Sequence, residues 1–499
     1  MSNTNNLTRK LDKNSSPRIG FFGVGYDKYW DQFEGLLSEL MGKHKAILKK
    51  IPDKYAAIVD FGMVDSPLKA YDVVQKIESE NLDMVFCTML TYATSGTFGI
   101  IIKTLRIPVV LIALQPLKAL DYSKASTYMQ LANDDICALP EFAATAIRMG
   151  KKVPDMIIGT LFDDPAADRQ IEEYCRIAGV LHGLKNAHFG HMGHPLNAML
   201  DMHTDVTMLT SAFGCHVTEL EAHELLNYYY RVTEEEITSG KKTILGFFDT
   251  PDPVSDPISL KLRESDLAVA SGVYVALKHF VEGRKLHGLA YYYEGPDNSD
   301  ERLVMTSLAV GNSILASNGF PMCGESDLKT LVALFIMDRL GIGGSFAEFH
   351  PADFNEGFIL VGHDGPHNIA IASGKPVLRS LKKYHGKPGY GAGVEFNIKE
   401  GPITILSINS TFDGKFKFVI AEGESGKGPI PPTGNTNTRG FFEPDIRTFL
   451  QRWIKEGPTH HFALGVGHHA SAIRKIADYL NIESVTVTTG KSDQFNTFD

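Results

Sequence analysis

The 499-residue chain has five cysteines, Cys87, Cys137, Cys175, Cys215 and Cys323, and no Cys-x-x-Cys pair among them. Scattered and odd in number, they argue against a disulfide framework and imply reduced thiols in a cytoplasmic protein. No run of about 18 apolar residues occurs, so no membrane-spanning helix is expected. The polar opening MSNTNNLTRKLDKNSS carries no segment of signal-peptide character. Lysine and arginine form no stripe long enough to neutralise a phosphate backbone. With 49 basic and 59 acidic residues, a net charge of −10 removes nucleic acid from the expected partners. In GFFGVGYDKYW (20–30) Gly23 and Gly25 are followed by Lys28 where a G-x-G-x-x-G loop has its third glycine, and no acidic residue follows at the usual place on a second strand. That stretch reads as a tight turn at the carboxyl end of the first strand rather than a nucleotide loop, although such turns border ligand crevices in open α/β sheets. No repeat of solenoid period is present.

What is there is an ordinary globular composition, 43% hydrophobic and 22% charged, in a chain long enough for two to four domains. RIGFFGVG (18–25), AAIVDFGMV (56–64), LDMVFCTML (82–90) and PVVLIALQ (108–115) are short, nearly continuous apolar runs. Runs of this kind suit strands buried on both faces. Helical stretches lie between them, MIIGTL (156–161) supplies a further strand, and a long helix over 165–186 closes the unit. Alternation of this kind specifies a doubly wound parallel sheet. A second α/β unit is expected around strands TILGFFD (243–249) and LHGLAYYYEG (286–295) and a helix over 258–283. From about residue 346 apolar and polar residues alternate, with turns at Glu-Gly-Pro and Asp-Gly, which specifies a β-rich, antiparallel, barrel-like C-terminal domain. GKGPIPPTGNTNTRG (426–440) reads as a loop. The expected division is a disordered tail over 1–16, α/β domains over 17–184 and 185–345, and a β-rich domain over 346–499.

Four histidines, His460, His461, His468 and His469, fall within EGPTHHFALGVGHHAS (456–471). Histidine is the commonest metal ligand, so the cluster calls for partners. Glu325 and Asp327 stand at the start of a strongly apolar helix, where capping alone explains a carboxylate. Glu348 lies in GGSFAEFHPADF (343–354), and His363 ends the apolar run FILVGH. Carboxylates and histidines from separate elements form a mixed N/O set, suited to Mn²⁺ or a similar divalent ion. If FALGVG is a strand, one of His460 and His461 faces inward, and only one of the pair is a direct ligand. His468 and His469 stand at the entry of the next helix, in a capping, partly solvated position.

At these residues the chain resembles the L-arabinose isomerase family, within the arabinose and fucose isomerase group. GESDLKT is similar to the family's Glu-Gly-Asp-Trp-Lys-Thr stretch, SFAEF to Ser-Phe-Met-Glu-Asp, GHDG to Ser-His-Met and EGPTHHF to Gly-x-x-His-His-Thr. Their order and approximate spacing agree, and the likeness extends to VEFNIKEGPITILSI, FFEPDIRTFLQRWIKEG and, more weakly, LQPLKALDY. The resemblance implies a metal-dependent aldose–ketose isomerase working through an enediol. By position, Glu325, Glu348, His363 and His461 hold Mn²⁺ or another divalent cation, and Glu325 and Glu348 are catalytic. Gln115, Tyr26 and His460 fall on the sugar substrate. A homohexamer with its active site between subunits is also implied. Two departures stand out: the family's sugar-facing glutamine aligns with Gly25, beside Tyr26, and a histidine aligns on or near Cys137. Two other readings compete. A sugar-binding or regulatory protein on the same fold would lack turnover, and a metal hydrolase would use a metal-activated water.

Overall fold

The computed structural model describes residues 16–488 except 197, 382, 385–386, 389–391 and 433–434. All but the last residue of the expected tail lies outside the described residues. The chain divides into two compact units, one spanning Asn14–Gly183 and the other beginning at Leu184.

In the first unit the apolar runs form β1 (Arg18–Val24), β2 (Ala57–Val64), β3 (Met84–Met89), β4 (Val109–Gln115) and β5 (Asp155–Thr160). They pair in parallel in the order β2-β1-β3-β4-β5, as the alternating pattern requires. Every residue of the central β3 is buried, which explains why its sequence is continuously apolar instead of alternating. The helix Pro67–Ser79 opens on a proline in its first turn, where a missing N–H costs nothing, and turns Ala70, Val73, Val74 and Ile77 inward.

The second unit holds a four-stranded parallel sheet in the order Met322–Cys323, Gly288–Tyr291, His188–Met192 and His216–Leu220. The last two strands replace the strand expected over 243–249. Residues Glu234–Phe247 are helical instead, started by a capping box between Thr233 and Glu236 and buried at Gly240 and Ile244. The long helix also begins later than expected, at Glu264, and runs to Gly283. Residues Ser259–Leu260 join an antiparallel sheet with Val377–Leu381 and Ala392–Glu395.

Six strands form a closed antiparallel barrel: Gly401–Ser410, Phe462–Val466, Gly343–Asp353, Phe358–His363, Thr436–Phe441 and Phe416–Gly426, the last pairing back to the first. A further strand, Glu483–Thr486, adds to it in parallel. Thr436–Phe441 corrects the loop expected over 426–440, since pairing with Phe358–His363 outweighs the Asn- and Thr-rich composition. The helix Leu328–Leu340 is buried on nearly every face, hence its apolar sequence without an amphipathic stripe. Among the described residues no helix is long and apolar enough to cross a membrane.

Candidate metal centre

Three neighbouring barrel strands converge at one end. Gly343–Asp353 lies between Phe358–His363, with Glu348 opposite Gly362, and Phe462–Val466, with Ala347 opposite Phe462. That register puts Glu348 beside His363 on one side and beside His461 on the other. Gly362 permits the close packing: a Cβ there would meet the Thr436 carbonyl oxygen at 1.9 Å. One ligand atom each from Glu348, His363 and His461 lie within 4.8 Å of one another, and the same holds for Glu325, His460 and His461.

Glu325 arrives from the end of the parallel strand Met322–Cys323. It sits in the turn Gly324–Ser326 with φ 58°, and Ser326 follows with φ 60°. Two successive non-glycine residues in the left-handed region cost about 1–3 kcal/mol each, and such strain gathers at functional sites. The turn aims the buried Glu325 carboxylate at both histidines, 3.8 Å from His363 Nε2 and 3.6 Å from His461 Nε2.

Each histidine has its other ring nitrogen committed. His363 Nδ1 donates to the Asp364 carbonyl at 2.8 Å, and His461 Nδ1 donates to Asp327 Oδ2 at 3.3 Å. Nδ1 as donor leaves the Nε2 lone pair facing Glu325, which is how second partners orient metal-binding histidines. His461 Nε2 is buried and has no hydrogen-bond partner among the described residues. Phe346 packs against both rings, at centroid distances of 4.3 and 4.4 Å.

Burial, and then the facing His461, push His363 well below the usual imidazole range, so its ring is neutral. Burial also opposes charge on His461, but the hydrogen bond and charge of Asp327, followed by Glu325 and Glu348, outweigh it and raise its pKa. Proton and cation therefore compete for the His461 nitrogen. Asp327 is held at about 2: burial works against its ionisation, and the His461 hydrogen bond and the Lys329 charge overcome it.

Of the adjacent pair, His461 is fully buried while His460 is 35% exposed in its side chain, so one of the two faces inward as the strand geometry demands. His460 Nδ1 meets Asp201 Oδ2 at 2.6 Å. His468 bonds the Gly423 carbonyl at 3.2 Å instead, and His469 occupies the N-cap position of Ala470–Tyr479 without a side-chain cap. Asp327 does cap its helix, accepting from the N–H groups of Lys329 and Thr330, and orients His461 as well. Tyr26 follows β1 and Gln115 ends β4, both at the carboxyl edge of the first unit's sheet, with Tyr26 edge-on to Tyr29. They are not part of the cluster that the second unit builds on its own. Asp201 and the buried His367, whose Nε2 bonds the His363 carbonyl at 2.7 Å, are contacts that no sequence signal marks.

Residues 367–487 match the family model for the L-fucose isomerase C-terminal domain. Proteins named L-arabinose isomerase from Nocardioides sp., Serratia proteamaculans and Klebsiella pneumoniae are 23%, 22% and 26% identical to the chain. The aligned regions span 81%, 70% and 45% of this chain and 80%, 69% and 46% of those proteins. These likenesses cover much of the chain and support a divergent relative of the L-arabinose isomerases. Of the four clustered residues, the L-fucose isomerase domain match takes in His461 alone, so the cluster spans a boundary between the matched domain and the segment before it.

Proposed function

We propose that this protein is a divalent-metal-dependent aldose–ketose isomerase, with Mn²⁺ as the expected ion. The observation that carries the reading is the convergence of Glu325, Glu348, His363 and His461 from four separate elements, with both Nε2 atoms turned toward a strained, buried carboxylate. Two carboxylates and two imidazoles fit a divalent cation of intermediate hardness, and the partnerless His461 Nε2 is the group such an ion would satisfy. When bound, the cation supplies positive charge against the negative charge that develops on the sugar oxygens.

Isomerisation adds and removes nothing: a proton leaves C2 and one arrives at C1, while the O2 proton is lost and O1 gains one, through an enediol. Glu325 and Glu348 are the carboxylates of the set, and the carbon-bound proton travels on one of them. His363 and His461 hold the site's geometry, and Phe346 keeps water from their rings. A sugar-binding protein without turnover needs no carboxylate strained into this position, so that reading is the weaker one. The family likeness and the scattered thiols extend the proposal to a cytoplasmic homo-oligomer, a hexamer by resemblance.

Metal content of the purified protein, followed by detection of ketose from a panel of aldoses, tests the reading directly. Chelation is expected to abolish activity and to lower the melting temperature, with Mn²⁺ restoring both. An ion held at a hundred times its dissociation constant contributes about 2.7 kcal/mol to stability, and that contribution disappears on removal. A chelated enzyme at full activity refutes the metal.

Substrate choice is expected to differ from the family's. Gly25 and Cys137 stand where the resemblance places a glutamine and a histidine, so two polar contacts to the sugar are gone. Sites built on hydroxyl hydrogen bonds discriminate strongly, because a mismatch leaves buried groups unpaired. L-arabinose is expected to be a poor substrate beside another aldose, a hexose or a substituted sugar. Comparing kcat/KM for L-arabinose, D-galactose, L-fucose and an anionic hexose under saturating Mn²⁺ decides it, and a clear preference for L-arabinose overturns the expectation.

A further inference from the structure

Lys329, the second residue of the helix Leu328–Leu340, is fully buried. Its neighbours Leu328, Leu331 and Val332 are apolar and buried, so packing alone does not call for a charge there. Enclosing an ammonium costs several kcal/mol unless its donors are satisfied. Here Nζ reaches the carbonyls of three consecutive residues, Asp201 at 2.9 Å, Met202 at 2.8 Å and His203 at 3.3 Å. Three acceptors match the three donors of a protonated lysine. The full negative charge alongside is Asp327, with Oδ1 at 4.0 Å and no exposure.

Both ends of this arrangement lead to the histidine pair. Three successive carbonyls drawn to one atom fix the turn Leu200–Met202, and Asp201 on that turn accepts from His460 twice, from its N–H at 3.0 Å and its Nδ1 at 2.6 Å. Asp327 orients His461 through Oδ2. The two imidazoles lie 3.8 Å apart, centroid to centroid. We propose that Lys329 is the positioning residue of the site: one buried ammonium sets His460 through Asp201 and His461 through Asp327. Lys329 touches neither histidine and acts through the two carboxylates. The assignment rests on the metal-isomerase reading.

Lys329→Met keeps most of the side chain's apolar stem and removes its donors. Partners one step removed from a metal typically alter affinity or activity 10- to 100-fold. The folded variant is expected to bind Mn²⁺ at least about tenfold more weakly and to lose at least about tenfold in kcat under saturating metal. Asp201→Asn is expected to lower kcat while leaving Mn²⁺ affinity within about twofold, and Asp327→Asn to lower the affinity; residues on one path give non-additive losses, so Lys329→Met with Asp201→Asn should show a kcat no lower than Lys329→Met alone. A merely structural lysine would lower the melting temperature and leave the Mn²⁺ affinity and kcat of the folded protein unchanged, which overturns the proposal. Multiplicative losses in the double variant overturn it too. If Lys329→Met does not fold, Lys329→Gln, which retains a donor, takes its place; if neither folds, the lysine is a structural residue and the proposal fails. Wild-type protein that binds no Mn²⁺ and forms no ketose defeats the isomerase reading itself, whereas an active wild type with an equally active Lys329→Met defeats this inference alone.

Discussion

Replacing Glu325 or Glu348 with glutamine is expected to leave a folded protein in which ketose formation falls by a factor of about 10²–10⁴ or more, the range assigned to a positioned acid–base group. Glutamine reproduces the shape of either side chain. What it removes is an ionised oxygen able to accept a proton and to bind a cation. At position 325 the effect is compounded, since the carboxylate is buried and faces His363 and His461 at 3.8 and 3.6 Å. An amide there leaves the rings facing a neutral group, and metal affinity should fall with turnover. Glu348 is more open, with 29% of its side chain exposed, so Glu348→Gln should disturb the fold less and report chemistry more directly. Melting curves separate lost folding from lost function, and initial rates under saturating Mn²⁺ measure the rest. Near-normal turnover in either variant takes that residue out of the mechanism.

The parts legible in sequence are those where burial on both faces writes a continuous signal. All five strands of the first unit coincide with apolar runs, and the three inner ones, β1, β3 and β4, are buried almost throughout, whereas the edge strands β2 and β5 are only partly covered. The barrel hairpin Gly401–Ser410 with Phe416–Gly426 was equally legible, its turn marked by Asp413 and Gly414. The parallel sheet of the second unit was not. His188–Met192 and His216–Leu220 are five residues each and carry polar side chains within the strand, so no apolar run announces them. The stretch TILGFF imitates a buried strand, but the capping box upstream at Thr233 and Glu236 carries a helix through it. A local apolar run cannot tell the two apart.

At the site, residue type and motif order identified the four clustered residues, whereas the groups that orient them were invisible. Asp201 and His460 are 259 positions apart, and only the folded chain brings that carboxylate to that ring. Asp327 looked like a helix cap and is one. Its second oxygen serves His461, and nothing in the sequence distinguishes a cap that does both from a cap that does one. The left-handed backbone at Glu325 was hidden for a similar reason: the turn Gly324–Ser326 places its glycine at the first position and its strain at the next two.

Within the histidine cluster of 460–469, His461→Ala is expected to weaken Mn²⁺ binding far more than His468→Ala or His469→Ala. On the proposed ligand set, loss of His461 removes one of four bonds to the ion and leaves Asp327, fully buried, without the imidazole it bonds. His468 instead lines a separate cavity with Glu424, Glu443 and Arg447 and bonds a backbone carbonyl, and His469 begins a helix. Neither belongs to a group of side chains able to share an ion among the described residues. Partners one step removed from a metal already alter affinity 10- to 100-fold, so loss of a direct ligand should exceed about 100-fold, while the two downstream variants should stay within about twofold of wild type. Mn²⁺ titrations of the three proteins at one pH make the comparison. His461→Ala should also lose the stabilisation that Mn²⁺ confers on the wild type, seen as a melting temperature that no longer rises when the ion is added. Equal losses at 461 and 468 would move the metal site to the other half of the cluster, and an unchanged affinity at 461 would remove the buried histidine from it altogether.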